Sequence, residues 1–127
     1  MLSIDDINAV LNDKNIEYVK FITQCVTDIE VMIKSRDFEI CHTFFKKSMY
    51  ISINLTSIFD HYSSRLKYFI SGGFSIDNIL TDIKQELLIK NEWIFKIKYD
   101  TYHIMTGGYP SDKEYHDIHI FIKNNHH

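Results

Sequence analysis

The side chains best suited to chemistry in this chain are histidines, carboxylates and two cysteines, and their spacing decides what each could do. His116 and His119 stand three residues apart. On a helix that spacing puts both imidazoles on one face, near enough to share a metal ion, with Asp117 turned elsewhere. No cysteine or carboxylate pair stands around them in a recognised zinc spacing. The expectation is therefore solvated histidines, with no bound metal and no other cofactor. His126 and His127 follow Asn124-Asn125 and read either as a native end or as the start of a purification tag.

Cys25 and Cys41 fall inside apolar-periodic segments and read as small core residues, too few for a disulfide framework. A reducing compartment is the simpler expectation. Neither cysteine has the local sequence of a known nucleophile, and there is no Gly-x-Ser-x-Gly. Gly72-Gly73 ahead of a helix could cradle an anion, but no Walker or dinucleotide fingerprint accompanies it, and Asp77 would repel phosphate. Small helical ribonucleases of the HEPN type place a histidine shortly after an arginine. Here Arg65 is followed by Phe69, Ile70 and Ser71, and Arg36 reaches only His42. The chain is expected not to be an enzyme.

Acidic and aromatic groups are what remain. Asp77, Asp82 and Glu86 follow the glycine break, with Asp100 later, and Phe74, Tyr99 and Tyr102 are near in sequence. Aromatics anchor a protein partner and charge steers it, so Gly72, Gly73, Phe74, Asp77, Asp82, Glu86, Tyr99, Asp100 and Tyr102 are the candidate partner-binding residues. The competing reading is a solvated helix face over a core that contains the aromatics.

The elements that must position these groups read mostly as helices. Ser3 and Asp6 form a capping box, and Ile4, Ile7, Val10 and Leu11 give a short amphipathic helix ended by Asn12-Asp13-Lys14-Asn15. Val19, Ile22, Val26, Ile29 and Ile33 predict a second helix from about Ile16 to Lys34. The same spacing resumes at Cys41, Phe44, Ser48, Ile51, Leu55, Ile58, Tyr62, Leu66 and Phe69, one long helix or two joined near Ser63-Ser64. Gly72-Gly73 ends it as a C-cap. Ser75 caps the next helix through Ile76, Ile79, Leu80, Ile83 and Leu87, with Ile94, Ile97 and Ile104 as an extension. Gly107-Gly108 reads as a second C-cap, and Ser111-Asp112-Lys113-Glu114 as a capping box opening a helix through Tyr115, Ile118 and Ile122.

The fold expectation is thus all-α: an antiparallel bundle of about five helices in one domain over residues 1–127. An α+β arrangement with a C-terminal hairpin is the alternative. Met49, Ile51, Ile53 and Leu55 alternate, as do Trp93, Phe95, Ile97 and Tyr99, and again Ile118, Ile120 and Ile122. Period-2 alternation of β-branched residues marks strands, and Ala9 is the only alanine.

Totals bound the function. The 127 residues suffice for one core without metal or disulfide staples, and 45% hydrophobic with 24% charged residues is ordinary for a globular chain. No apolar run approaches the about 20 residues that span a bilayer. The start lacks the basic and apolar regions of a signal peptide, so a cytoplasmic location and no membrane partner are expected. Net charge is −3 with only Arg36 and Arg65 as arginines, and Glu86 and Glu92 interrupt Lys84, Lys90, Lys96 and Lys98. Nucleic-acid binding is therefore disfavoured.

One pattern points to a family. Glu17-Tyr18-Val19-Lys20-Phe21-Ile22 opens a helix, and a long second helix leads into Tyr68-Phe69-Ile70-Ser71-Gly72-Gly73-Phe74-Ser75-Ile76-Asp77-Asn78-Ile79 before an amphipathic helix reaches Trp93. Over residues 16–98 this resembles the N-terminal region of the helical immunity proteins of bacterial polymorphic toxin systems, the PoNi-like group. Such proteins continue into a second helical region, a departure here. The resemblance implies contact-dependent neutralisation of a cognate protein toxin, often a nuclease, by stoichiometric binding. The competing functions are a viral or phage helical protein that captures a host factor, and a small HEPN-like enzyme.

Overall fold

Ser3 begins the first helix as expected. Its Oγ accepts from the Asp6 N–H at 3.1 Å, and the Asp6 carboxylate accepts from the Ser3 N–H at 3.0 Å. In the computed structural model, which describes residues 1–43 and 48–123, helix α1 then runs unbroken over Ile4–Lys34. The expected break at Asn12-Asp13-Lys14-Asn15 is absent. None of these residues is glycine or proline, and polar side chains on an exposed face cost a helix only tenths of a kcal/mol each, about 0.5 at most.

The remaining elements are β1 (Glu39–His42), β2 (Met49–Asn54), α2 (Leu55–His61), α3 (Ser63–Ser71), α4 (Ile76–Lys90), β3 (Ile94–Tyr102), β4 (Met105–Thr106), β5 (Tyr109–Pro110) and β6 (Tyr115–Ile122). The all-α expectation is overturned: the fold is α+β, with a four-stranded antiparallel sheet in the order β1-β2-β6-β3. The α+β alternative describes it better. Phe44 and the His126-His127 end lie outside the described residues.

The physical reason is a coincidence of periods. Ile51 and Leu55 sit four apart and so fit a helix stripe, yet Ile53 between them completes a strand alternation. In β2, Ile51 and Ile53 are buried while Tyr50 and Ser52 are half-buried on the opposite side. Ile94 and Ile97 likewise belong to β3, and Ile118 and Ile120 to β6. The run Ser111–Glu114 caps no helix: the Ser111 hydroxyl donates to the Lys113 carbonyl at 3.3 Å and its N–H to the Ile104 carbonyl at 2.9 Å. Gly107 and Gly108, at φ +60° and +85°, form a hairpin turn between β4 and β5 rather than a helix end.

Gly72-Gly73 does end a helix. The Phe74 N–H donates to the Phe69 carbonyl at 3.0 Å and the Gly73 N–H to the Ile70 carbonyl at 3.2 Å. With Gly73 at φ +106°, this is a Schellman cap, and the Phe69 and Phe74 rings meet edge to face at 5.9 Å as its apolar seal.

The helices cover one face of the sheet. Phe21, Cys25, Val26 and Ile29 of α1 and Ile79, Ile83 and Leu87 of α4 join Ile51, Ile53, Ile97, Ile118 and Ile120 of the sheet in one buried cluster. Thr56 links the strand layer to α2: its hydroxyl accepts the His116 N–H at 2.6 Å, continuing by a side chain the β2–β6 pairing that ends at Asn54 and Asp117. The opposite sheet face carries Tyr50, Asp100, Asp117, His119 and Phe121. Among the described residues no helix is long and apolar enough to cross a membrane.

Candidate functional site

The structure distributes the nine sequence-predicted residues over four places. Around Tyr18, Phe74 stacks on the phenol ring at 3.9 Å and 3°, and Asp82 accepts the Tyr18 hydroxyl at 2.5 Å. Burial and the Asp82 carboxylate hold the Tyr18 phenol well above its ordinary pKa. The Gly72 carbonyl accepts from Lys14 Nζ at 3.3 Å, and a Cβ on Gly72 would stand 2.6 Å from that same nitrogen. Gly72, Gly73, Phe74 and Asp82 are therefore a joint that binds α1 to the α3–α4 corner. Asp77 stays exposed in the first turn of α4, and Glu86 pairs with Lys90 at 3.5 Å.

Tyr99 points into the helix layer, where its hydroxyl donates to the Leu80 carbonyl at 2.6 Å. Burial raises its phenol pKa. Asp100 and Tyr102, one and three residues on, stand on the opposite sheet face. There β-pairing sets Asp100 directly across from Asp117, and His119 follows Asp117 by two residues on the same face. One ligand atom from each of Asp100, Asp117 and His119 lies within 4.8 Å of the others. Tyr102 Oη donates to Asp117 Oδ1 at 3.5 Å. Partial burial pushes the Asp117 carboxyl up, and Asp100 adds to this, while His119 and Tyr102 pull it down.

The same face has an aromatic and cationic half. Phe121 is only 5% exposed yet stands outside the main core cluster. Tyr50 covers its ring at 4.8 Å, and Lys96 Nζ lies 4.7 Å above it. Tyr50 also packs on the His119 ring at 4.6 Å.

His116 and His119 do not share a face. In a strand a spacing of three sends side chains to opposite sides. His116 is buried among the helices, with Nδ1 3.0 Å from Thr101 Oγ1, and desolvation lowers its pKa. The relevant signal in the sequence is Asp117-x-His119, two apart, which only a strand assignment makes meaningful.

A third feature lies on α1. Steps of seven residues keep Ile4, Leu11, Tyr18 and Cys25 on one face of the helix. Tyr18 is 7% exposed and Cys25 fully buried, whereas Ile4 is 75% and Leu11 53% exposed, and Ile7 beside them 46%. Among the described residues, the core-facing stripe thus runs on past the end of the core into exposed positions. The sequence identified that stripe as amphipathic but not that the domain stops short of it. Comparison with protein-family models, with curated proteins and with solved structures returned no match.

Proposed function

We propose that this chain is a non-enzymatic binding protein that neutralises a cognate bacterial protein toxin by stoichiometric occlusion in the cytoplasm. The observation that carries the reading is the uncovered stripe of Ile4, Ile7 and Leu11 on α1. An exposed contiguous apolar surface on a rigid helix is the kind of feature that a partner protein covers. Because α1 is one continuous helix anchored by Tyr18, Phe21 and Cys25 in the core, the stripe is presented without the ordering cost of a loose segment.

Charge supports a basic partner. The chain carries −3 overall, and Asp77 is exposed at the α3–α4 corner, whose Gly72 carbonyl is held by Lys14 of α1. Asp5 and Asp6 in the first turn of α1 add acidic charge beside Ile4 and Ile7, which steers a basic protein toward the stripe. The class of partner comes from the resemblance of the Glu17–Ile22 and Tyr68–Ile79 segments to toxin-immunity proteins, although the long helix expected between them is β1, β2, α2 and α3. Asp82 is half-buried and accepts the Tyr18 hydroxyl, so its carboxylate also holds α1 to α4.

The test is co-expression with the product of the neighbouring gene, expected to be a toxin that arrests growth on its own. Restored growth and a stoichiometric complex on size exclusion are expected, and both should be lost in the double variant Ile7→Asp, Leu11→Asp. Rescue that survives this double substitution places the interface elsewhere.

A further inference from the structure

We propose that Asp100, Asp117 and His119 form a divalent transition-metal site, best suited to Zn2+, with its remaining coordination position open to solvent. The placement follows from strand register. Asp100 on β3 is the direct cross-strand partner of Asp117 on β6, and His119 projects from the same face two residues along. Three donors from two hydrogen-bonded strands converge within 4.8 Å of one another. A tetrahedral ion with bonds of 2.0–2.1 Å needs its donors about 3.3 Å apart, a contraction that side-chain rotation supplies.

Two features besides proximity point to a cation. Directly opposed like charges destabilise an antiparallel pair, and among the described residues the ion pairs formed by lysine involve Glu86 and Asp60, not Asp100 or Asp117. The nearby ammonium groups of Lys96 and Lys98 are drawn over the Phe121 ring, at 4.7 and 5.8 Å. A divalent ion converts the repulsion between the two aspartates into attraction to a shared centre. The imidazole then decides which ion: carboxylates alone suit Mg2+, Ca2+ or Mn2+, whereas an added histidine nitrogen shifts the preference toward Zn2+ and its neighbours. Around the triad, the Tyr50 ring packs on His119 and the Tyr102 hydroxyl reaches Asp117, contacts that hold the ligands in orientation. This face is separate from the α1 stripe, so the site stands or falls independently of toxin binding.

The experiment uses the full chain carrying His126→Ala and His127→Ala, titrated with Co2+ and Zn2+ near neutral pH after chelator treatment. One equivalent of Co2+ with visible ligand-field absorption, displaced by Zn2+, is expected. Asp100→Asn and His119→Gln should each weaken binding by about tenfold or more. Asp100 is exposed, so its variant keeps the parent circular dichroism spectrum and separates loss of binding from loss of fold. Absence of a bound equivalent at about 100 μM free Zn2+, or an affinity unchanged in both variants, overturns the site.

Discussion

The Tyr18 hydroxyl donates to the Asp82 carboxylate at 2.5 Å, across 64 positions of sequence, and fastens α1 to α4. A hydrogen bond to a charged group contributes about 1.5–3 kcal/mol, so Asp82→Lys should lower the free energy of unfolding by that order. Glu86→Lys, four residues on, breaks only a surface pair with Lys90 and should cost under about 0.5 kcal/mol. Urea unfolding of the two variants distinguishes a structural carboxylate from a solvated one; equal midpoints would refute the distinction.

His116 gives a pH signature. Its folded pKa lies below the unfolded value of 6.5, because burial disfavours the imidazolium. The unfolded chain therefore binds the extra proton first, and stability is full above about pH 6.5 and falls as the pH drops toward the folded pKa. Replacing His116 with Gln should flatten that part of the curve of unfolding free energy against pH. An unchanged slope between the two pKa values would show that other groups dominate it.

The two halves of the α1 stripe should respond differently to truncation. Ile29→Ala opens a cavity in the core and should cost about 2–5 kcal/mol. Ile7→Ala removes a half-exposed side chain outside the core and should cost under about 0.5 kcal/mol. Thermal denaturation measures both. A large loss at Ile7 would mean that something already covers the stripe in solution, and analytical ultracentrifugation would then show whether it is a second copy.

At the hairpin turn, Gly107 and Gly108 hold φ of +60° and +85°, where a side chain is strained. Gly107→Val should cost about 1–2 kcal/mol. Hydrogen exchange should show faster exchange at Thr106 and Tyr109, the pair closing the turn. Protection equal to the parent's would mean that the turn tolerates a side chain.

The helices were legible where capping chemistry was explicit. Ser3 with Asp6, and Ser75 with the following turn, mark the starts of α1 and α4, and Gly73 marks the end of α3. The strands were legible only as the alternative, because isoleucines in alternation also satisfy spacings of four, and only cross-strand partners distant in sequence choose between the readings. The site inherited that error. Asp100 and Tyr102 were identified for their chemistry, but their neighbours Asp117 and His119 could be found only once residues 115–122 were known to be extended. Asp82 and Tyr99 were legible as polar groups, whereas their engagement by Tyr18 and by the Leu80 carbonyl is a tertiary fact.

The position of β6 governs how the molecule can assemble. Among the described residues it is the last strand in sequence, yet it lies inside the sheet with β2 on one side and β3 on the other. During synthesis the helices can form early, while β2 waits for a partner more than sixty residues downstream. The nascent chain passes through a stage with an unpaired Ile51 and Ile53 edge, the kind of edge that invites pairing with another chain. Loss of residues beyond His116 would leave β3 and β2 without the strand that joins them.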